Sequence, residues 1–396
     1  MKVFKKIYTW LHLWLGIVVG LVFAIASITG ATLIFEDELY PLVYPEIYAG
    51  KVDPRPAKRL PLDSLYQRAS TYHAGQPLYG LSIKQSVDGS AYIFRTEGER
   101  LERSLLRLDP ETGALLGRLD GSRNFFYLME ELHRKLFAGN VGKAITGAAC
   151  LAYLLILISG LLLWWPKNKK MLRTRLKIKW DAKAKRLNWD AHAVGGFYTL
   201  PILLLICLTG LVWSYKWYNQ GLFYLFDGAP QQKVLAKFEL PELTTDGLTW
   251  PIQHAFEQAQ HRLPYPGDIE ISLPDGKDEN AIEISRENEL AAIPNVVDRL
   301  FFDSRSGDFL KAEPYEEQTR GMKVRRFILP LHTGSFAGLT TKIIYFIAML
   351  VAASLPFTGL FIYLGRKKKK TKKTAGSTDG ASVVGNYRPK GRLRSV

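Results

Sequence analysis

Apolar residues along this chain are gathered into blocks rather than spread evenly. Four blocks are long enough to cross a bilayer, which takes about 20 apolar residues. They run over Ile7–Phe35, Ala144–Trp165, Ala191–Tyr215 and Ile343–Leu364. Because these blocks are long and nearly free of charge, buried core helices of a soluble protein are a poor alternative. The pattern predicts an α-helical integral membrane protein with four transmembrane helices.

Two polar segments, Glu36–Lys143 and Lys216–Lys342, separate the blocks and show shorter patterns. Alternating runs predict strands, and proline at a first turn predicts amphipathic helices. The strands are Tyr79–Ile83, Ala91–Phe94 and Leu105–Leu108, the helices are Pro61–Ser70 and Pro251–Gln260, and turns are predicted at Asp53–Pro54 and Asp88–Gly89. Each segment is long enough for a small α+β domain.

Basic residues are concentrated in three segments, Met1–Trp10, Pro166–Asn188 and Gly365–Val396. These hold 24 of the 53 Lys and Arg residues and two of the 37 acidic ones, leaving 29 basic and 35 acidic residues elsewhere. Cytoplasmic flanks of membrane spans carry such an excess, so both termini are predicted in the cytoplasm. The run Arg366–Lys373 is interpreted as an anchor to anionic lipid headgroups rather than as a nucleic-acid site.

The first block has an alternative interpretation as a secretory signal, because Lys2, Lys5 and Lys6 precede it. Its apolar run is longer than that of a typical signal, so an uncleaved first helix is predicted. Cys150 and Cys207 both lie inside predicted spans and therefore form no disulfide framework for the outer domains.

The two halves of the chain repeat one pattern with identical spacing. The matching residues are His12, Gly16, Thr29 and Gly30 with His192, Gly196, Thr209 and Gly210, and then His133, Phe137, Gly139, Lys143 and Ser159–Gly160 with His332, Phe336, Gly338, Lys342 and Thr358–Gly359. The outer segments share a hairpin signal, at Asp109–Gly113 and Asp303–Gly307. An even number of spans in each half predicts two parallel tandem repeats about an axis along the membrane normal.

This symmetry predicts two histidine pairs, His12 with His192 near the cytoplasmic face and His133 with His332 at the outer face. Histidine in or beside a span is rare and usually functional, although a structural imidazole bonded to a neighbouring helix is the alternative. A bare metal ion needs three or four protein ligands. The nearest other candidates, Glu131 and Asp190, each lie two residues before a histidine, and this offset points them to another face of the helix. A haem needs only two axial imidazoles.

Other residues near the histidines suit a haem b, of which two per chain are predicted. Gly16 and Gly196 lie one turn from their histidines and would leave room for a flat macrocycle, although close helix packing explains Gly16 and Gly20 equally well. Arg134, and Arg326 with its neighbour Arg325, are candidates for pairing with haem propionates. Without a Cys-x-x-Cys-His sequence, covalent haem attachment is excluded.

The sequences Trp10–Gly16, Asp190–Gly196, Leu132–Gly139 and Leu331–Gly338 resemble the PepSY-associated transmembrane proteins, the iron-regulated inner-membrane proteins that include FoxB-type siderophore reductases. The resemblance covers roughly residues 1–370, and it is specific in the helices and loose in the outer domains. It implies a di-haem reductase of a bacterial inner membrane that releases iron from ferric siderophores in the periplasm. It also implies that His12, His133, His192 and His332 are the axial ligands of the haem iron.

Two alternatives stay open: a quinol-linked cytochrome b serving another periplasmic acceptor, and a haem-free PepSY regulator of peptidases. The electron donor is either cytoplasmic or a quinol.

The predicted order is transmembrane helix 1 (1–35), PepSY-like periplasmic domain 1 (36–132), helix 2 with an outer extension (133–165), a basic cytoplasmic loop (166–188), helix 3 (189–215), PepSY-like periplasmic domain 2 (216–331), helix 4 with an outer extension (332–364) and a basic cytoplasmic tail (365–396). If the extensions were straight, His133 and His332 would lie about 16 Å above the hydrocarbon, unless Gly139, Gly142 or Gly338 breaks the helix.

Overall fold

The computed structural model describes residues 2–48, 59–73, 78–86, 89–96, 102–231, 238, 251–274 and 280–378. The predicted turn at Asp53–Pro54 and the first residue of the Asp88–Gly89 turn lie outside these residues.

Both halves of the chain contain the same order of elements. The first half contains α1 (Lys2–Leu33), α2 (Glu36–Val43), α3 (Pro45–Tyr48), α4 (Leu62–Tyr72), β1 (Leu78–Ser86), β2 (Gly89–Thr96), β3 (Ser104–Leu108), β4 (Leu115–Asp120), α5 (Phe125–Lys135) and α6 (Gly139–Trp164). After α7 (Lys169–Arg175), the second half contains α8 (Ala184–Ser214), α9 (Lys216–Asp227), α10 (Ile252–Arg262), β5 (Ile269–Ser272), β6 (Ala281–Glu287), β7 (Val297–Asp303), β8 (Phe309–Glu313), α11 (Arg320–Thr333) and α12 (Gly338–Thr378). Short 3-10 turns precede α5, α11 and α12.

Within the described residues, four helices are long and apolar enough to cross a membrane: Val3–Leu33, Gly139–Trp164, Ala184–Ser214 and Ser335–Arg366. They contain the four predicted spans, apart from one or two terminal residues. The helices form a ring in which α1 contacts α6 and α12, and α8 contacts the same two helices. Gly20 packs against Pro356 of α12, so a side chain at this position would collide with the proline. The chain is thus a membrane protein with an α-helical bundle and an α+β part.

The two outer segments combine into one eight-stranded sheet rather than two separate ones. All its strand pairs are antiparallel, in the order β4-β3-β2-β1-β5-β6-β7-β8. The halves meet where β1 pairs with β5, from Gly80 opposite Ser272 to Ile83 opposite Ile269. Gly80 lies against the carbonyl of Ile271, and only glycine permits this close approach. The predicted strands of the first half are present, as are the Asp109–Gly113 turn between β3 and β4 and the Asp303–Gly307 turn between β7 and β8.

The helices α4 and α10 lie side by side over the sheet and share one apolar core with it. Each helix caps the other, because Asp63 accepts a hydrogen bond from the amide of Ile252 at 2.7 Å and Gln253 accepts one from the amide of Leu62 at 2.9 Å. The prolines Pro61 and Pro251 directly precede these helices. Side-chain caps thus satisfy amide groups that a helix start leaves without partners.

A tight turn separates α5 from α6 and α11 from α12, so neither outer extension is straight. The first turn has left-handed backbone at Leu136, Phe137 and Gly139, with φ of 51°, 56° and 52°. The second has it at Gly334 and Gly338, with φ of 79° and 70°. These turns fold α5 and α11 back against α1 and α8. His133 and His332 therefore lie against the spans, not above them.

Candidate functional site: two histidine pairs in the helical bundle

The first pair, here called the inner pair, is His12 of α1 and His192 of α8. Their ring centroids are 6.1 Å apart and their planes are nearly perpendicular, at 86°. The pair lies at the end of the bundle where α1 begins and where α7 connects the halves. The structure thus brings together two histidines that are 180 residues apart, as the repeat predicts.

The second pair, the outer pair, is His133 of α5 and His332 of α11. Their ring centroids are 6.3 Å apart, with an interplanar angle of 76°. This pair lies at the end of the bundle that carries the sheet, and it resembles the inner pair closely in geometry.

Each histidine is held through its Nδ1 atom by a hydroxyl residue of a neighbouring span. His12 meets Ser159 at 3.2 Å, His133 meets Thr29 at 3.1 Å, His192 meets Thr358 at 3.0 Å and His332 meets Thr209 at 2.9 Å. Three of the Nδ1 atoms also approach a backbone carbonyl, of Ile156, Ala26 and Ile206, at 3.2, 2.9 and 3.1 Å.

This arrangement assigns the proton of each ring. The four hydroxyl groups donate to carbonyls of their own helices, so each hydroxyl oxygen is an acceptor for the imidazole. Nδ1–H is therefore the donor, and Nε2 carries the lone pair. Metal-binding histidines commonly have such a partner on the nitrogen that does not bind the metal.

A glycine follows each hydroxyl residue, and the edge of the imidazole ring lies against it. A β-carbon on Gly160 would be 3.0 Å from Cε1 of His12, and one on Gly30 would be 3.2 Å from that of His133. The corresponding distances are 3.2 Å for Gly359 with His192 and 3.4 Å for Gly210 with His332. The hydroxyl–glycine dipeptide is thus the cradle of each imidazole. Its four occurrences are visible in the repeat, but the sequence does not show which helix each one serves.

The spacing of the rings suits one metal atom between each pair. Two metal–nitrogen bonds of about 2 Å, with roughly 1 Å from each nitrogen to its ring centroid, give about 6 Å. Within the described residues no group of three or more His, Cys, Asp and Glu side chains could hold a metal ion. Each pair offers two imidazoles, which is the number of protein ligands that a six-coordinate haem would need, since a porphyrin provides the other four.

The glycines near the inner pair leave space on their helices. A β-carbon on Gly16 would have nothing within 4 Å, and one on Gly196 would meet only Leu355, at 3.8 Å. Close helix packing therefore applies to Gly20 and not to Gly16. The residues present fit a haem at the inner pair, because the two imidazoles are spaced for one iron atom and the helix surfaces at Gly16 and Gly196 are open.

Burial keeps the outer imidazoles neutral. It lowers the pKa of His133, and it lowers the pKa of His332 to about 3, where the nearby His133 adds to the effect. A neutral imidazole is the form that binds a metal.

The acidic residues near the histidines have other partners. Asp190 is fully buried and ion-paired with Arg186 at 2.9 Å, and Glu131 pairs with Lys135 at 3.3 Å. Neither contributes to a histidine pair, as the two-residue offset predicts.

The arginines predicted to meet haem propionates are placed differently from one another. Arg134 is half exposed and forms an ion pair with Glu130 at 2.7 Å. Arg326 donates to Gln318 at 2.9 Å, and its carbonyl accepts from Asn295, so its contacts are with the outer part of the chain. Arg325 lies over the ring of Trp213, which in turn contacts His332.

The two pairs are separated along the bundle by apolar and aromatic side chains. On α1, Thr29 and Gly30, which cradle His133, follow His12 by 17 and 18 residues, which corresponds to about 26 Å along the helix. Phe23 of α1 and Tyr153 of α6 lie between them, stacked with ring centroids 3.3 Å apart. Cys150 and Cys207 are free cysteines in the same region.

The sequence profile of one protein family, described as the PepSY-associated TM region, matches residues 9–366. This match includes all four histidines, the whole sheet and all four spans apart from the first six residues of the first one. No curated protein matches the chain.

Proposed function

Because the chain belongs to the family of PepSY-associated TM regions, we propose a function in which both of its histidine pairs take part. The protein is a di-haem reductase that passes electrons across a membrane to a ferric siderophore. The observation that carries this proposal is the presence of two imidazole pairs, each spaced for one metal atom and each held through Nδ1.

The chain's residues would hold and orient two haem b groups. His12 and His192 would ligate one, and His133 and His332 the other, each through Nε2. When so bound, haem supplies reversible one-electron transfer. The hydroxyl–glycine cradles fix each ring, and Gly16 and Gly196 leave room beside the inner pair.

The direction of transfer follows from the charges at the two ends of the bundle. The described residues of the basic segments, 2–10, 166–188 and the first part of 365–378, lie at the end with the inner pair. This excess of positive charge supports a cytoplasmic location for that end and a periplasmic location for the sheet, in a bacterial inner membrane. Electrons would enter from a cytoplasmic or quinol donor at the inner pair and leave at the outer pair.

Reduction alone suffices to release iron from a siderophore. The hard oxygen ligands of the chelate favour Fe(III), and one electron converts it to Fe(II), for which they have lower affinity. No bond of the chelator is broken, so the chain needs no acid, base or nucleophile for this step.

The test begins with visible spectra of the full chain, purified from haem-supplemented cells, oxidised and then reduced with dithionite. We expect low-spin b-type haem at close to two per chain. Folded protein without a Soret band would refute the proposal and favour the haem-free PepSY regulator. One haem per chain would mean that only one pair binds.

The second step tests the acceptor. Reduced protein is mixed anaerobically with a ferric trihydroxamate and ferrozine, and reoxidation should coincide with the colour of the Fe(II) complex. The His133→Ala and His332→Ala variants should fail, whereas reduced His12→Ala and His192→Ala should still complete one turnover. If ferric chelates leave the reduced spectrum unchanged and a quinone reoxidises it rapidly, the quinol-linked cytochrome replaces iron release.

A further inference from the structure

Arg325 is a partly buried cation close to the outer pair. It precedes His332 by seven residues on α11, about 10 Å along the helix. Its guanidinium carbon is 5.1 Å from the centre of the Trp213 ring, and that ring is 5.2 Å from the ring of His332. Its Nε atom donates to Oδ1 of Asn219 at 3.0 Å. The side chain is thus held in place by an aromatic face and one neutral hydrogen bond.

Among the described residues, Arg325 has no carboxylate partner. Burial lowers its pKa, and no acidic group nearby offsets this effect. Three other cations around the outer pair are ion-paired: Arg134 with Glu130, Lys135 with Glu131, and Lys342 with both oxygens of Glu38 at 2.8 and 2.9 Å. The adjacent Arg326 donates to the neutral Gln318 at 2.9 Å and is directed away from the pair. Leaving a partly buried charge without a partner is costly, so an unpaired guanidinium beside a ligand site indicates an anion that binds there.

The first half of the chain lacks this arrangement. In the predicted repeat, Arg325 corresponds to Phe126, Trp213 to Leu33 and Asn219 to Leu39. Phe126 is fully buried in an apolar cluster with Tyr40. The cation is therefore not a requirement of the shared fold, and the second half alone carries it.

We propose that Arg325, positioned by Trp213 and Asn219, binds a carboxylate beside the outer pair. Its terminal nitrogens have no other partner among the described residues, and they form the planar fork that recognises a carboxylate through two hydrogen bonds. The carboxylate has two sources: the group ligated by His133 and His332, or a soluble ferric chelate. The first source rests on the proposed haem function, and the second requires only that such chelates bind the chain.

The experiment compares Arg325→Gln and Arg325→Lys with Arg118→Gln, a control that removes an arginine of the sheet whose Nε atom pairs with Asp120 at 3.0 Å. Each full-length variant is reconstituted with protohaem and with protohaem dimethyl ester, which has no free carboxylate. The outer haem is identified as the spectral component lost in His332→Ala. Its dissociation constant and midpoint potential are measured.

If the carboxylate belongs to the haem, Arg325→Gln should weaken outer protohaem binding at least about tenfold and lower its potential. It should leave binding of the dimethyl ester unchanged. Arg325→Lys should recover part of the loss, because it keeps the charge without the fork.

If the carboxylate belongs to the acceptor, Arg325→Gln should have the same effect on the binding of protohaem and of its dimethyl ester at the outer pair. It should raise the dissociation constant of ferric citrate, but not that of a neutral ferric trihydroxamate. The proposal is overturned if Arg325→Gln matches Arg118→Gln in haem affinity, potential and citrate binding. A wild-type chain that takes up no haem would refute the proposed function, and citrate binding would then decide the role of Arg325.

Discussion

Substitution of Gly160 by alanine tests the cradle of the inner pair directly. The new β-carbon would be 3.0 Å from Cε1 of His12, whereas carbon atoms in contact are about 3.5–4.0 Å apart. The ring must therefore give by a few tenths of an ångström. Nδ1 is held at 3.2 Å by both Ser159 and the Ile156 carbonyl, so this movement lengthens and weakens at least one of these hydrogen bonds.

The expected result is selective loss of the inner haem. Disturbing the partners of a metal-binding histidine typically costs 10–100-fold in affinity, which is about 1.4–2.7 kcal/mol. The helix itself should not suffer, because alanine is favoured over glycine in a helix by about 1 kcal/mol. We therefore expect unchanged or raised thermal stability of the haem-free chain, together with weaker inner haem binding in a spectral titration.

The matched control is Gly221→Ala on α9, where a β-carbon meets nothing within 4 Å. It gives the same gain in helix propensity without touching a histidine, so both haems should bind as in the wild type. Normal inner haem binding in Gly160→Ala would refute the cradle, and equal loss of both haems would show a general defect rather than a local one.

Four further predictions follow from the same geometry. Gly16→Ala should leave the haem-free chain as stable as the wild type and yet weaken the inner haem, because its β-carbon enters space that is open in the structure; unchanged haem titration would show that the macrocycle lies elsewhere. His12→Ala and His192→Ala should lose the same haem, and His133→Ala and His332→Ala the other, as judged by reduced spectra; losses that cross between the pairs would contradict the pairing. Gly142→Ala should abolish the outer haem, because its β-carbon overlaps the Lys135 carbonyl in the turn that brings His133 to α1; retention of that haem would show that the turn is adaptable. Asp63→Ala should lower the free energy of unfolding by about 1 kcal/mol, because it removes the cap of α10. An unchanged midpoint in denaturant-induced unfolding would show that the cap adds nothing and that the apolar core alone holds α4 and α10 together.

Several features of the candidate site were accessible from the sequence alone. The spans follow from apolar length, because a bilayer forces backbone groups to bond within a helix. The histidine pairs follow from equal spacing in the two halves, because related positions in a symmetric bundle face each other. His12 and His192 illustrate this, since the structure places them opposite one another although 180 residues separate them.

The outer part was predictable only strand by strand. Alternation identifies Ala91–Phe94 and Leu105–Leu108, because it depends on residues two positions apart. It does not identify the pairing of β1 with β5, which joins segments about 190 residues apart. That pairing is made by backbone hydrogen bonds, and no pattern of side chains specifies it. The single eight-stranded sheet was therefore apparent only in the three-dimensional structure.

The cradles show the same division within the site. The pairs Thr29–Gly30 and Thr209–Gly210 are visible in the repeat, but their histidines lie 104 and 123 residues further along the chain. Left-handed backbone at Leu136 and Phe137, residues that rarely adopt it, makes the turn that brings His133 back to α1. The sequence by itself determined which residues are apolar, repeated and able to bind a metal. Only the tertiary structure decided which helix holds each imidazole. For His133 this depends on the turn at Leu136 and Phe137, whose left-handed backbone is stabilised by the surrounding packing against the preference of these two residues.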